Sequence, residues 1–318
     1  MRAVVIGEGG QFGLQQRDDP VPGPRDVLVD VRAAGLNAAD LQQARGNYPA
    51  PAGWPADIPG LEIAGEVLQA GTAADGVVPG DRVMALIGGG GHAERVVVPA
   101  DLLIPVPTQL SWAEAGGFPE IFSTAWDALV SQAQVGVGDR ILITGAAGGV
   151  GTAMVQIASA TGADVVASVH RRELHEKVKS LVPEQRYLTV VTPDEAPDHG
   201  PFDVIVELVG RDDCLQQVSR LRTGGRLLLV GVHAGTTAPL PISGLLLARA
   251  KVIGTTIRGR SPTEKAVLAH KIRTKVAPLL AERRIRVPIE ATYRLEEYAD
   301  AYGRLAAPGK FGKIVFTP

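Results

Sequence analysis

A glycine-rich stretch offers the most specific chemistry in this sequence. Residues 142–158 read LITGAAGGVGTAMVQIA, with an apolar run, a turn that has three glycines in four positions, and a second apolar run. Read as strand, turn and helix, this pattern presents the N–H groups of a helix N-terminus, which can bind a phosphate. In dinucleotide-binding turns the glycines form the turn, admit the pyrophosphate and let the helix pack closely. The alternative is a tight connection without ligand. The candidate phosphate-binding residues are Ala147, Gly148, Gly149 and Val150.

The residues about 20 positions after this turn distinguish the two nicotinamide dinucleotides, because NAD sites usually place Asp or Glu there to hold the ribose hydroxyls. No carboxylate occurs from Val165 to Arg172, and the next apolar run is followed by basic residues. Arginine can bind a 2′-phosphate through charge-assisted hydrogen bonds, so the sequence predicts NADPH as cofactor. The alternative is a solvated helix start. The candidates are Ser168, His170, Arg171 and Arg172.

The turn lies within an alternation of strand and helix patterns that begins near residue 111. Strands are predicted at 140–145, 164–169, 202–210 and 226–232, and helices at 171–181 and 214–222. The strands are nearly continuous apolar runs, as in sheets covered by helices on both faces. This pattern predicts an α/β fold with a Rossmann-type, doubly wound parallel sheet.

Two capping patterns mark helix starts. Ser111 is followed by Glu114, and Ser261 by Glu264, each with the spacing of a capping box. From 262 the apolar spacing predicts one long amphipathic helix to about 285.

The first 110 residues are β-rich. Alternating runs at 26–35, 63–71 and 93–101, separated by Gly and Pro, predict a sandwich or small barrel. The proline-rich segment 47–60 is predicted to be a surface loop. The tail GKIVFTP is predicted to be a strand that could return to this first domain, making it discontinuous.

Composition limits the function classes. The 318 residues carry a formal net charge of −2, which implies no broad basic surface for nucleic acid. A single cysteine excludes a disulfide within the chain, which fits a reducing compartment. No run of about 18 uncharged apolar residues indicates a membrane span. We therefore expect a cytoplasmic protein that acts on a small molecule.

Several motifs in one order resemble the medium-chain dehydrogenase/reductase superfamily, in its zinc-free quinone oxidoreductase branch. They are LNAADLQQARGNYPAP (36–51), IPGLEIAGEV (58–67), GDRVMAL (80–86), GGGHAERVVVP (89–99), FPEIFSTAWDAL (118–129), GDRILITGAAGGVGTAMVQIA (138–158) and GKIVF (312–316). The chain looks closest to the zeta-crystallin-like and p53-inducible quinone oxidoreductases. The family's segment after the second Rossmann helix is replaced by SLVPEQRYLTVVTPDEAPDHG (180–200), so the resemblance assigns no adenine contacts there.

The resemblance implies a GroES-like β-rich domain from 1–121 and 259–318, and a Rossmann domain from 122–258. It also implies a cleft where substrate meets nicotinamide, and a homodimer through Rossmann edge strands, here the strand KVIGTTI (251–257). No metal is expected. Leu61 stands where the alcohol dehydrogenase branch has a ligating histidine in Gly-His-Glu, and leucine has no donor atom.

The resemblance assigns the catalytic positions to Asn37 and Tyr48. Hydride addition to a quinone or enone leaves negative charge on oxygen, which needs a hydrogen-bond donor or a proton. The Asn37 amide could donate to the substrate, and Tyr48 could donate a proton or only shape the pocket. The plain alternatives are a turn residue for Asn37 and loop packing for Tyr48. For Asp40, an N-cap role is favoured.

On the cofactor side, Thr124 matches a threonine near the nicotinamide ribose, and three more residues end a strand at the carboxyl edge of the sheet. A further set is expected to line the other side of the cleft. These residues are Gly231, Val232 and His233, then Thr256, Ile257 and Arg258. The predicted function is an NADPH-dependent, zinc-independent reduction of a quinone or another conjugated carbonyl. The alternatives are an enoyl reductase acting on an enone or enoyl thioester, and a non-catalytic NADPH-binding protein.

Overall fold

The computed structural model describes residues 1–183, 187–231, 235 and 237–318. They form two compact units: unit 1 comprises Met1–Ser123 and Ile257–Pro318, and unit 2 comprises Thr124–Thr256. The strands are β1 (Arg2–Ile6), β2 (Phe12–Gln16), β3 (Asp26–Gly35), β4 (Glu62–Ala70), β5 (Arg82–Leu86), β6 (Arg95–Pro99), β7 (Leu103–Pro105), β8 (Arg140–Ile143), β9 (Asp164–Ser168), β10 (Leu188–Val191), β11 (Phe202–Glu207), β12 (Leu221–Leu229), β13 (Lys251–Gly254), β14 (Ile289–Tyr293) and β15 (Lys313–Phe316). The α-helices are α1 (Ala38–Ala44), α2 (Trp112–Gly116), α3 (Pro119–Trp126), α4 (Gly149–Ala160), α5 (His175–Lys179), α6 (Ile242–Ala248), α7 (Pro262–Lys271), α8 (Ala277–Ala281) and α9 (Tyr298–Ala306).

Unit 1 is built on a mainly antiparallel sheet to which both segments of the chain contribute. Its order is β14-β15-β3-β4-β5-β7, with β6 paired to β3. The last strand, β15, pairs with the end of β3 through Val315 opposite Gly35 and Phe316 opposite Ala34. The central strand β3 alternates buried and half-buried residues over most of its length, as expected for a sheet with one face on the core.

The core of unit 1 also joins the two segments. Leu36 and Ile63 from the first segment pack in one buried cluster with Tyr302 and Phe316 from the second. The Phe12 ring stacks on the Tyr302 ring at a centroid distance of 3.6 Å. Residues of the last 20 positions are therefore part of the same core as β3 and β4.

Unit 2 contains a parallel sheet in the order β10-β9-β8-β11-β12-β13. Its inner strands are apolar and fully buried, as in Ile141–Ile143 of β8 and Val204–Val206 of β11. The predicted Rossmann-type parallel sheet is confirmed, and the strand order reverses between β8 and β11, where such sheets bind ligands at their carboxyl edge.

Three predicted segments of unit 2 differ from the structure. The predicted helix 171–181 is a short 3-10 turn, Arg172–Leu174, followed by the five-residue α5. The predicted helix 214–222 is a 3-10 helix over Cys214–Arg220. Leu221 is already extended because it pairs with Phe202 of β11, so β12 begins five residues earlier than predicted and ends at Leu229.

Both predicted capping boxes are confirmed. The Ser111 hydroxyl accepts a hydrogen bond from Glu114 N, and the Ser261 hydroxyl accepts one from Glu264 N, both at 3.3 Å. The predicted long helix after Ser261 forms over 262–281 rather than to about 285, and it contains a π-helical turn, Ile272–Val276, between α7 and α8. Among the described residues, no helix combines the length and the hydropathy needed to cross a bilayer.

Candidate active site

The glycine-rich turn of unit 2 connects β8 to α4 as the sequence predicts. Gly145, two residues after the strand, takes a positive φ of 62°, and Gly148 is the N-cap of α4. The first hydrogen bond within the helix is donated by Thr152 N to Gly148 O at 2.8 Å. The N–H groups of Gly149, Val150 and Gly151 precede this bond and have no acceptor within the helix, so an anion at the helix N-terminus can accept their hydrogen bonds.

Two glycines of this turn differ in whether their neighbours leave room for a side chain. A Cβ on Gly151 would lie 2.7 Å from Ala146 Cα and closer still to Gly145 O, so the packing of α4 on the turn excludes any side chain. A Cβ on Gly148 would meet only Gly145 O, at an ordinary 3.5 Å, and Gly148 has a φ of −71° that any residue can adopt. The fold therefore requires glycine at 151 and does not require it at 148.

The end of β9 adjoins the turn, because Ala146 N donates to Ser168 O at 3.1 Å. Ser168 is buried, whereas the side chains of Arg171 and Arg172 are 45% and 69% exposed. Each arginine has a carboxylate partner, since Arg171 lies 3.4 Å from Glu173 and Arg172 lies 2.6 Å from Glu195. Ser168 thus lies beside the turn, and the two arginines follow it with their charges already paired. His170 is exposed in the same segment.

The remaining predicted cofactor residues of unit 2 lie near strand ends and in α3. Thr124 is buried within α3, and Gly231 lies just after β12, packed so closely on Leu208 that a Cβ would overlap Leu208 O. Thr256 is exposed two residues after β13. Val232 and His233 fall outside the described residues.

Glu207 is a residue of this edge that sequence reasoning missed. It ends β11, is 3% exposed, and its Oε1 accepts hydrogen bonds from Thr144 Oγ1, Val209 N and Gly210 N at 3.0, 2.7 and 3.0 Å. The carboxylate thereby fixes the turn after β11 against the residue that follows β8. The signal available in the sequence was an acidic residue directly after the apolar run 204–206.

In unit 1, the half-buried Asn37 is hydrogen-bonded to a buried ion pair, Glu62 and Lys313. The Lys313 ammonium lies 2.7 Å from Glu62 Oε1 and donates to Asn37 Oδ1 and Leu36 O, each at 2.7 Å. Asn37 Nδ2 donates to Glu62 Oε1 at 3.0 Å and to Gly35 O at 3.3 Å. Glu62 Oε2 also accepts from Glu120 N at 2.8 Å. The amide of Asn37 is thus engaged on both sides, and its donation to a substrate stays a prediction that would cost one of these bonds.

Asp40 has a different role from the predicted N-cap. Asn37 is the N-cap of α1, and Asp40, at the third helical position, accepts from Asn37 N at 2.7 Å through Oδ2. Its Oδ1 accepts from Gly60 N at 3.1 Å. The capping box explains the difference, because the acid at its third position reaches back to the N-cap N–H.

His92 lies next to Asp40 and is completely buried. Its Nδ1 is 2.6 Å from the Tyr302 hydroxyl, and its Nε2 is 3.3 Å from Gly35 O. Burial lowers the pKa of His92 and raises that of Tyr302 well above its ordinary value, so the imidazole is neutral and the phenol keeps its proton at pH 7. Tyr302 therefore donates to Nδ1, and the imidazole proton sits on Nε2 facing Gly35 O.

Tyr48 lies half-buried on the loop after α1, and Arg258 holds that loop. Arg258 Nη1 donates to Tyr48 O at 2.6 Å, and its Cζ lies 5.0 Å from the Tyr48 ring centroid. Its other hydrogen bonds reach Gly88 O at 2.9 Å and Gln43 Oε1 at 2.5 Å. Burial lowers the pKa of Arg258 from its ordinary value. These contacts give Arg258 a structural role in unit 1, and its cofactor contact stays a prediction, as does that of the adjacent, buried Ile257.

The donor set bears on metal binding. In the described part of the chain, no three His, Cys, Asp or Glu side chains gather into a group that could hold a metal ion. Leu61 is buried and offers only hydrocarbon, and the neighbouring Glu62 is engaged by Lys313 and Asn37.

Comparison with known proteins agrees with this architecture. The family model described as alcohol dehydrogenase GroES-like domain matches residues 23–108, and the model described as zinc-binding dehydrogenase matches residues 149–271. Quinone oxidoreductase-like protein 2 of Bos taurus is 29% identical over 300 residues, which is 92% of this chain and 85% of the relative. Acryloyl-coenzyme A reductase of Metallosphaera sedula is 28% identical over 347 residues, covering all of both chains.

A solved structure extends the likeness to three dimensions. The quinone oxidoreductase from Thermus thermophilus, whose complex with NADPH is also known, is 31% identical with a TM-score of 0.86 over the full length of both chains. The family models, these relatives and the Rossmann-type unit agree on one assignment. The chain belongs to the quinone oxidoreductase branch of the medium-chain dehydrogenase/reductase superfamily and is an oxidoreductase that uses a nicotinamide cofactor.

Proposed function

We propose that the protein is an NADPH-dependent reductase of quinones or other conjugated carbonyl compounds. The observation that carries the dinucleotide site is the glycine at position 148. The fold does not require glycine there, and this residue is the N-cap of α4 without a side-chain hydrogen bond to the helix. Close approach of a pyrophosphate explains a glycine at such a position. Ala147, Gly148, Gly149 and Val150 would hold the pyrophosphate, with Ser168, His170, Arg171 and Arg172 at the 2′-phosphate.

When bound, NADPH supplies a hydride. The chain's own contribution is to stabilise the negative charge that then forms on the substrate oxygen, and we assign the hydrogen bond or proton for that oxygen to the Tyr48 hydroxyl. Asn37 is proposed to act beside it. Solvent can complete the protonation, because a quinol or an enolate does not need a strong acid.

Replacing Gly148 by alanine tests the dinucleotide site. We expect Gly148→Ala to weaken NADPH binding by about tenfold or more, a loss near 1.4 kcal/mol, because the methyl occupies the approach of the pyrophosphate. Its melting temperature should change little, since the methyl meets only Gly145 O at 3.5 Å. The matched variant Gly151→Ala should lose about 1–3 kcal/mol of stability through overpacking. Equal NADPH affinity in Gly148→Ala and the unchanged protein would favour a tight connection without ligand.

A panel of substrates tests the reaction class. NADPH oxidation measured side by side with quinones, alkyl enones and enoyl thioesters should be fastest with one of these classes. The relative named acryloyl-coenzyme A reductase favours the enoyl thioester as the second candidate. Absence of NADPH oxidation with every class would support a non-catalytic NADPH-binding protein.

Zinc independence is part of the proposal, because Leu61 cannot ligate and the chain has one cysteine. Prolonged incubation with excess EDTA should leave turnover unchanged, and elemental analysis should find less than stoichiometric zinc. One equivalent of tightly bound zinc, with loss of turnover on its removal, would contradict this prediction.

A homodimer is also proposed, through the edge of the sheet in unit 2. The last strand in the order is β13, whose outer side faces no described strand, and Val252 on it is partly exposed. Helix α6 exposes Leu246 and Leu247 at 70% and 83%. Exposed edges and large apolar side chains of this kind are usually covered. The molar mass in solution tests the proposal.

Residence in the cytoplasm stays a prediction from the single cysteine.

A further inference from the structure

The charges at the proposed 2′-phosphate position balance. The sequence offers Arg171 and Arg172 as two cations, and the structure adds a carboxylate to each of them, Glu173 and Glu195. The formal charges of these two arginines and two carboxylates sum to zero. A 2′-phosphate carrying up to two negative charges therefore meets less attraction than two unpaired arginines would provide.

Glu195 and Glu173 differ in how firmly they are placed. Glu195 Oε1 is 2.6 Å from Arg172 Nη2, and its Oε2 accepts from Thr192 N at 2.8 Å. Glu173 is 65% exposed, and its pair with Arg171 is long at 3.4 Å. The hydrogen bond from Thr192 N and the ion pair with Arg172 lower the pKa of Glu195 to about 2, so it is a fixed anion at any working pH.

The fold brings Glu195 to the nucleotide edge from the neighbouring strand. β10 pairs with β9, with Val191 opposite Ser168, and Val169 N donates to Val191 O at 2.8 Å. The turn that follows β10 carries Glu195 to Arg172. In NAD-selective Rossmann sites an acid at the end of the second strand holds the ribose hydroxyls and disfavours a 2′-phosphate. In this protein Glu195 lies at the same edge, but it follows the next strand, β10, and comes 27 residues after Ser168 in the sequence.

We propose that Glu195 is a specificity-determining residue that restrains the preference for NADPH over NADH. It does so in two ways, by engaging one donor group of Arg172 and by repelling the 2′-phosphate. This inference rests on the proposed function only in placing the adenosine end of the dinucleotide at residues 168–172.

The test measures dissociation constants for NADPH and NADH by fluorescence titration at low salt, in the full-length protein. Glu195→Gln keeps one oxygen as the acceptor for Thr192 N, and it removes both the charge and the acceptor that faces Arg172. Its melting temperature should change little, because the Arg172 pair is exposed. We expect its NADPH affinity to rise about 3- to 10-fold, with NADH changed less than about twofold. The gain should shrink to less than about twofold at 0.5 M salt, because exposed charges are screened. Glu173→Gln is the matched control and should shift NADPH affinity less than about twofold.

A second arm separates this inference from the proposed cofactor. The double variant Arg171→Ala, Arg172→Ala should weaken NADPH and leave NADH unchanged, which supports the arginines as the 2′-phosphate site. The unchanged protein could bind both nucleotides equally while Glu195→Gln gains affinity for NADPH. That result would support the role of Glu195 and contradict the NADPH preference in the proposed function. If Glu195→Gln binds NADPH more weakly or equally, the inference is overturned and the proposed function stands. If neither NADPH nor NADH binds the unchanged protein, both the inference and the proposed function are overturned.

Discussion

Replacing Lys313 by methionine should lower the free energy of unfolding by about 3–5 kcal/mol. The ammonium group is 2% exposed and donates to Glu62, Asn37 and Leu36, and Glu62 is fully buried. Methionine fills a similar volume and supplies no charge, so Glu62 would stay in the core as an anion without its cation. That cost is far larger than the value of an exposed ion pair, which is about 0–1 kcal/mol.

Chemical denaturation measures this effect, and hydrogen exchange of the β3 and β4 amides assigns it to unit 1, because two units can unfold separately. Lys179→Met is the matched control, since Lys179 pairs with Glu176, whose side chain is 83% exposed. It should cost less than about 1 kcal/mol. Adding Glu62→Gln to Lys313→Met should recover part of the loss, because the buried charge is gone. A loss below about 1 kcal/mol for Lys313→Met alone would contradict a buried pair.

Replacing Tyr48 by phenylalanine should lower kcat about 10- to 1,000-fold if the hydroxyl donates to the developing oxyanion. The variant isolates that hydroxyl. Arg258 binds the backbone carbonyl of Tyr48 and faces its ring, and both features remain in phenylalanine. The loop should therefore keep its position, and the affinity for NADPH and the melting temperature should not change.

Steady-state kinetics with the best substrate of the panel provides the measurement. Tyr187→Phe is the control, since Tyr187 is 52% exposed and belongs to unit 2. Arg258→Lys tests positioning of the loop, and a raised KM is expected because lysine cannot reproduce the forked contacts to Gly88, Gln43 and Tyr48. An unchanged kcat in Tyr48→Phe would leave Tyr48 with a packing role only.

Local signals in the sequence were sufficient for the elements that hold the proposed dinucleotide site. The apolar strand, the glycine turn and the apolar helix lie close together in the chain, and β8 and α4 form where the pattern places them. The capping boxes at Ser111 and Ser261 are equally local. The π-helical turn between α7 and α8 and the early start of β12 were missed. Apolar spacing does not reveal a π-helical turn, and β12 begins where it pairs with β11.

Long-range partners are the part that the sequence pattern could not provide. Glu62 and Lys313 are distant in the chain, and nothing near either residue indicates that they form a buried pair. Asn37 was considered for its amide, whose partners Glu62 and Lys313 are set by tertiary structure. Glu195 is not indicated by the sequence for the same reason, since the NAD pattern has its acid after the second strand and this acid comes after the third, β10.

The position of Lys313 in the chain also affects the order in which the protein can fold during synthesis. Glu62 is made early, and its cation follows about 250 residues later, roughly 10–50 s at ribosomal rates of about 5–20 residues per second. Unit 2 is continuous in the sequence, Thr124–Thr256, and can fold before Lys313 has been synthesised. The first segment of unit 1 must meanwhile keep Glu62 hydrated and the edge that receives β15 open. A nascent chain stalled between residues 256 and 312 should therefore contain a folded unit 2. The first segment of unit 1 should still be accessible to chaperones or proteases.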